Sequence, residues 1–233
     1  MKHFRLIGTL IAVTVAIAGC SSDPATSASS SSSGSTSATA SASASTSSTP
    51  TADWYATTYG TFTKITKTGT SDSVITLPKN ATYGIITASY TGSGNFIIQG
   101  LDATNQPTVD GPVNAIGSYS GVTAFGLDSG GTGGTVSFQV TATGPWKITI
   151  APIDTAKAIP ASGKGDGVFK YDGAAKSWTI THNGAANFIV NQYSDQPMPG
   201  LGINEIGKYS GTVPGYAGPS VVTVQADGVW TVK

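Results

Sequence analysis

The 233-residue chain has few of the side chains on which most catalytic and nucleic-acid-binding sites depend. It contains one cysteine, Cys20, and two histidines, and its single arginine is Arg5. One cysteine cannot form an intramolecular disulfide, and a structural zinc site needs several cysteine or histidine ligands. Nucleic-acid-binding surfaces are normally rich in arginine and lysine. The composition therefore argues against a zinc protein and against a nucleic-acid partner.

Charge and helix-forming residues are scarce as well. Only 10% of the residues are charged, and among the 12 acidic residues Glu205 is the single glutamate. A chain low in glutamate and rich in glycine, serine, threonine and valine is typical of an exported all-β protein. After the first twenty residues, no apolar run is long enough to cross a bilayer.

The N-terminus has the pattern of an export signal. A basic start precedes the apolar run 6–18, and small residues lead to Cys20. The sequence Ile17-Ala18-Gly19-Cys20 resembles the bacterial lipobox, whose cysteine is diacylated and becomes the first residue of the mature protein. We predict a lipoprotein signal peptide at 1–19 and a lipid anchor on Cys20, which holds the chain on the extracytoplasmic face of a membrane. The alternative is an ordinary secretory signal that happens to contain a cysteine.

The segment that follows the cysteine is almost free of apolar side chains. Residues 20–59 begin with a long tract of serine, alanine and threonine. Such a composition cannot bury enough apolar surface to offset the entropy of ordering the chain. We predict a disordered linker over 20–59, which tethers whatever follows to the membrane.

The rest of the chain carries one set of motifs twice, in the same order. The pairs are "GNFII" (94–98) with "ANFIV" (186–190), "NAIGSYSG" (114–121) with "NEIGKYSG" (204–211), and "GPWKI" (144–148) with "GVWTV" (228–232). Repeats of this length have the size of domains. We predict two tandem domains, 60–153 (the first copy) and 160–233 (the second copy), each with its own core.

Both copies show the period-two alternation of half-buried strands. The alternating apolar residues of the first copy include Phe138, Val140 and Ala142 and then Trp146, Ile148 and Ile150. Strands are predicted near 73–77, 83–90, 95–101, 112–116, 121–126, 135–142 and 146–151. Short strands with regular turns predict an all-β fold of two β-sandwich domains, of jelly-roll or immunoglobulin-like form.

The patterns G-x-x-N-F-I-[IV], N-x-I-G-x-Y-S-G and G-x-W-x-[IV] resemble those of small exported β domains common in actinobacterial envelope and secreted proteins. The resemblance implies a β-sandwich fold and an envelope location, and it implies no reaction.

Few residues qualify for catalysis or metal binding. His182 corresponds to Tyr90 in the first copy, so a site built on it would exist only once. Asp72 and Asp166 recur in glycine-rich turns and are candidates for calcium binding, although aspartate is common in turns. We interpret all three residues as structural, and predict no enzyme activity, no cofactor and no metal.

Five aromatic residues have no aromatic counterpart in the repeat and are candidates for contact with a ligand: Trp54, Tyr55, Trp178, Tyr193 and Tyr216. Such side chains stack on sugar rings or pack against partner proteins. The alternative is that they pack between the two copies or cover a sheet edge.

The duplicated octapeptide is open to two interpretations. As a fold signature, its glycines occupy turn positions, and the hydroxyls of Tyr119 and Tyr209 each donate to a backbone carbonyl as in a tyrosine corner. As a duplicated site, the same hydroxyls face a ligand. We favour the fold signature.

These observations predict a membrane-anchored envelope lipoprotein, at the cell surface or in the periplasm, that acts as a non-catalytic binding module. Its partner is an envelope protein or a cell-wall glycan. The alternatives are a cell-wall carbohydrate-binding protein, a surface lipoprotein that blocks a partner such as an entering phage, and a fragment of a secreted hydrolase.

The lipid anchor is testable by replacing its attachment residue. Cys20→Ala removes the thiol that would be acylated, so we expect an unprocessed precursor or a released soluble protein. Detergent phase partition combined with the mass of the product measures both outcomes. A Cys20→Ala protein that is processed normally and still partitions fully into detergent would refute the lipoprotein assignment.

Overall fold

The computed structural model describes residues 53–233 as a series of mostly antiparallel strands preceded by one short helix, α1 (Trp54–Tyr59). The all-β fold predicted from the sequence is confirmed. The predicted signal peptide, Cys20 and the linker as far as residue 52 lie outside the described residues. The predicted linker extended to residue 59, but its last six residues form α1, whose first turn is capped by the Asp53 carboxylate through the Tyr55 amide at 3.1 Å.

The first copy consists of two four-stranded sheets. Its strands are β1 (Ile65–Gly69), β2 (Ser73–Thr76), β3 (Gly84–Tyr90), β4 (Asn95–Leu101), β5 (Val113–Ile116), β6 (Tyr119–Phe125), β7 (Ser137–Ala142) and β8 (Trp146–Ala151). They pair in the orders β1-β8-β3-β6 and β2-β7-β4-β5. The strand predictions agree with β2 to β8 to within two residues at each end, and β1 was not predicted.

The second copy repeats this arrangement strand for strand. Its strands are β9 (Lys157–Ala158), β10 (Ser162–Lys164), β11 (Gly167–Tyr171), β12 (Lys176–Asn183), β13 (Asn187–Tyr193), β14 (Gly200–Ile206), β15 (Tyr209–Gly215), β16 (Ser220–Gln225) and β17 (Val229–Val232). They pair in the orders β10-β17-β12-β15 and β14-β13-β16-β11-β9. Apart from β9, every strand takes the place of the strand numbered nine lower, so the sequence repeat is also a repeat of topology.

Each copy is a sandwich because one apolar cluster joins its two sheets. In the first copy, Ile86 and Trp146 from one sheet pack with Phe96 and Phe138 from the other. A second cluster, around Trp178 and other buried residues of 178–232, joins the two sheets of the second copy. The inward side chains come from alternate strand positions, as the period-two pattern requires.

A tryptophan and a facing glycine recur at one position of each sandwich. The ring of Trp146 covers Gly69, where an added Cβ would lie 2.4 Å from the ring, and Trp230 covers Gly163 in the same way at 2.2 Å. Each indole Nε1 donates to a carbonyl just beyond the facing strand, that of Ser71 at 2.9 Å for Trp146. The glycines leave space for the indoles, which explains why a glycine faces the tryptophan in both copies.

The duplicated octapeptide forms the corner between the two sheets of each copy. In the first copy, β5 belongs to one sheet and β6 to the other, and Gly117 connects them with φ +83°. Its counterpart Gly207 has φ +86°. An L-residue with a side chain is strained in this conformation. The glycine amides donate to the carbonyls of Gly94 at 2.9 Å and Ala186 at 2.8 Å, so the corner has the same backbone contact in both copies.

The segment between the copies is attached to the second one. Ile153 begins a 3-10 turn and is fully buried, and β9 pairs with β11 in parallel. The Lys170 ammonium donates to the carbonyl of Asp154 at 2.9 Å. This segment is therefore an ordered part of the boundary between the copies, which is called the junction below.

Candidate functional site: the groove at the junction

An apolar cluster that belongs to neither sandwich core fills the centre of the junction. Its buried members are Tyr55, Tyr59, Ile85, Ala151, Ile153, Val168 and Val221. They come from α1, from both copies and from the connecting segment. The tyrosines of α1 lie edge-on to Trp54, with ring centroids 5.1 and 5.6 Å apart. The helix thus occupies the space between the two copies, and burial raises the pKa of Tyr59 to about 12.

Tyr55 ties α1 to the second copy. Its hydroxyl lies 2.8 Å from Asp172 Oδ1 and 3.2 Å from each of the carbonyls of Tyr171 and Ser220. A phenol has one proton to donate, and the carboxylate is the nearest of the three acceptors. Burial, followed by the hydrogen bond to Asp172, raises the pKa of Tyr55, so the phenol remains a neutral donor.

Tyr119 ties the first copy to the second. Its hydroxyl donates to Asp166 Oδ2 at 2.7 Å, and burial together with the nearby carboxylate raises its pKa. The predicted tyrosine corner is therefore wrong for Tyr119, because the acceptor is a carboxylate of the other copy. Its counterpart Tyr209 packs on Phe188 in the same way as Tyr119 packs on Phe96, but the Tyr209 hydroxyl forms no hydrogen bond within residues 53–233.

The Asp166 carboxylate makes two contacts, one that also occurs in the first copy and one that does not. Its Oδ1 accepts the Ala226 amide at 2.9 Å, just as Asp72 accepts the Ala142 amide at 2.8 Å in the first copy. Both contacts fasten a turn to the end of a neighbouring strand. Only Asp166 uses its second oxygen for a contact across the junction.

A third contact crosses the junction in the opposite direction. The hydroxyl of Tyr193, on β13, donates to Asp128 of the first copy. Burial and this hydrogen bond raise the pKa of Tyr193. Tyr119 and Tyr193 thus each donate to an aspartate of the other copy. The three bonds of Tyr55, Tyr119 and Tyr193 to their aspartates are called the cross-junction contacts below.

The copies do not close completely around these contacts, and a groove of about 380 Å³ remains between them. We call it the junction groove. One wall is formed by 109–114 and β6 of the first copy, and its floor by the outward residues of β13 and β16, including Asn191, Thr223 and Gln225. This volume lies in the range of roughly 300–1,000 Å³ that small-molecule sites occupy.

Hydrogen-bonding groups and negative charge dominate the junction groove. Asn114, Asn191 and Gln225 contribute amides, and the lining includes three aspartates, Asp110, Asp128 and Asp166. Among the described residues that line the groove, none is a lysine or an arginine.

Asp110 is held firmly at one side of the junction groove. It is 8% exposed, and its carboxylate accepts the Gly126 amide at 2.9 Å and the Thr135 hydroxyl at 2.5 Å. Both oxygens are therefore satisfied by the first copy, which fixes this part of the wall.

The five aromatic candidates from the sequence lie in different places. Tyr193 lines the junction groove, and Tyr55 is buried at the junction beside the half-buried Trp54. Trp178 is 1% exposed in the second sandwich core, where no ligand reaches it without unfolding the domain. Tyr216 is 36% exposed, away from the groove lining, with its amide bound to Gln192.

No pattern in the sequence singles out the remaining groove residues. Asn191, Thr223 and Gln225 are ordinary outward positions of strands, and only the fold brings them beside the first copy. Asn114 and Tyr119 belong to the octapeptide, so the duplication pointed towards this region, as did the unmatched aromatic Tyr193 and the repeated Asp166.

His182 is part of the second sandwich. It is 3% exposed, and its ring stacks on Phe188 with centroids 4.3 Å apart, as Tyr90 stacks on Phe96 at 4.8 Å. Nδ1 lies 2.8 Å from the carbonyl of Gly207, and Nε2 lies 3.3 Å from Asp227 Oδ1. The ring therefore supports the corner formed by the octapeptide.

Asp227 completes this arrangement at the surface. The Ala185 amide lowers the pKa of the Asp227 carboxyl, and the Ala186 amide and the nearby His182 act in the same direction. Within residues 53–233, no group of three or more histidine, cysteine, aspartate or glutamate side chains is placed to hold a metal ion.

The chain matches no protein-family model, and its sequence matches none of the curated proteins. In the described part of the chain, no helix has the length and hydropathy needed to span a membrane. Any functional assignment therefore rests on the junction groove itself.

The repeat supplies its own control for the contact between Tyr119 and Asp166. Tyr119→Phe leaves the Asp166 carboxylate without its donor across the junction, so we expect the free energy of unfolding to fall by about 1–3 kcal/mol. Tyr209→Phe removes a hydroxyl that has no partner among residues 53–233, and we expect a change within about 0.5 kcal/mol. Urea unfolding of both variants measures the difference. Equal losses in the two variants would show that the contact adds nothing to the junction.

Proposed function

We propose that this protein is a lipid-anchored module on the extracytoplasmic side of a cell membrane, and that it binds an envelope component at the junction groove without catalysis. The membrane location is supported by the N-terminal pattern that ends at Cys20. The binding role is supported by the construction of the groove.

The observation that carries the proposal is that both copies build the junction groove and hold its walls in place. Tyr119 and Tyr193 fix two points of the boundary, and each hydroxyl reaches an aspartate of the other copy. Between these points, side chains of both copies face a space that the protein does not fill. A concave, preorganised site with convergent polar groups is the usual form of a ligand site.

A binding role without catalysis agrees with the position of the histidine in the described region. His182 stacks on Phe188 in the second copy, away from the residues that line the junction groove. The groove aspartates Asp110 and Asp166 each accept backbone amides, so they hold turns and strand ends together. These roles favour a module that presents a rigid surface to a partner.

Filling the junction groove tests the proposal. Asn114 lies exposed on β5 at the groove, and Asn204 is its exposed counterpart on β14, outside the groove lining. Asn114→Trp should therefore occlude the groove, and Asn204→Trp should add the same side chain elsewhere. The full chain and both variants, in detergent, are used to capture components from envelope extract. We expect the wild-type protein and Asn204→Trp to retain the same components and Asn114→Trp to lose them.

Two outcomes would count against this function. If Asn114→Trp captures the same components as the wild-type chain, the junction groove is not the binding site. If the wild-type chain captures nothing above a mock column, the protein is not a binding module for the envelope.

A further inference from the structure

We propose that the junction groove recognises a neutral saccharide. This inference rests on the proposed function, since it names the class of ligand for the same groove. It is drawn from the hydrogen-bonding groups of the lining, from their charge and from the rigidity of the walls.

The polar side chains of the junction groove suit a ligand covered with hydroxyl groups. Asn114 and Gln225 are exposed in the groove, and their side chains form no hydrogen bond within the described residues. A side-chain amide has one acceptor and two donor positions, and a hydroxyl both donates and accepts. Amides on opposite sides of the groove can therefore bind neighbouring hydroxyls of one saccharide without any charged group on the ligand.

The charge of the lining excludes anionic ligands. Asp110, Asp128 and Asp166 line the groove, and none of the described lining residues carries a compensating lysine or arginine. A phosphate or carboxylate would meet a field of its own sign and no basic side chain to bind it. A neutral ligand is not repelled by these carboxylates, which the protein already binds, as the 2.7 Å contact between Tyr119 and Asp166 shows.

The shape and rigidity of the groove fit a short carbohydrate. Its volume of about 380 Å³ has room for no more than a few sugar rings. One wall includes β5, which is an edge strand in the order β2-β7-β4-β5 and therefore leaves backbone groups unpaired. Because the cross-junction contacts already fix the walls, binding does not have to order them, which reduces the entropic cost.

Direct titration of the full chain in detergent tests the ligand class. The neutral probes are chitotetraose and cellotetraose, the anionic probe is tetragalacturonate, and the cationic probe is spermidine. We expect at least one neutral probe to bind and the anionic probe not to bind. Asn114→Ala removes one amide from the groove and should weaken the binding roughly three- to tenfold. Asn204→Ala, the matched change on β14, should leave the affinity unchanged.

Several results would overturn the inference. These are no binding of either neutral saccharide at millimolar concentration, equal affinities for wild type and Asn114→Ala, and binding of spermidine or tetragalacturonate alone. The proposed function is tested separately. If Asn114→Trp still abolishes capture from envelope extract while neither saccharide binds, the module remains a binder and its ligand belongs to another class, such as a peptide that pairs with β5.

Discussion

Three tyrosine hydroxyls at the junction, each bonded to an aspartate, determine how α1 and the two copies sit together. A buried phenol without an acceptor, or a carboxylate without its donor, costs the folded state free energy. The hydroxyls of Tyr55, Tyr119 and Tyr193 and their aspartates satisfy one another only when the copies and α1 are correctly placed. The apolar cluster around Ile153 stabilises the junction but does not fix the orientation of the copies, because the hydrophobic effect is non-directional. The cross-junction contacts fix that orientation. The apolar cluster and the cross-junction contacts together determine the width of the junction groove.

The two copies share one framework and have diverged where they meet. The framework consists of the strand order, the indole over a glycine and the corner glycines Gly117 and Gly207. This explains why the octapeptide occurs twice, since each sandwich needs the same passage between its sheets. Of two residues at equivalent positions in the copies, only one contributes to the junction. The Tyr119 hydroxyl donates to the second copy, whereas the hydroxyl of its counterpart Tyr209 forms no hydrogen bond within the described region.

Much of the fold could be predicted from the sequence, because strand alternation and turn residues are local signals. The strands from β2 to β8 follow from apolar residues at every second position. α1 was not predicted because six residues are too few to show helical periodicity. The junction could not be predicted because it joins residues that are far apart in the sequence. Tyr55 and Ser220, for example, are separated by 165 residues. No local pattern marks Asn191 or Gln225 as neighbours of β5, so the groove becomes visible only when both copies are folded and docked.

The central claim is that the cross-junction contacts hold the two copies as one rigid body with a permanent groove between them. Residual dipolar couplings of backbone amides in weakly aligned protein test it most directly, because they report the orientation of each copy independently. We predict that a single alignment tensor fits the strand amides of both copies in the arrangement described here. Two tensors of clearly different magnitude would mean that the copies move independently, and the junction groove would then not exist as a preformed site.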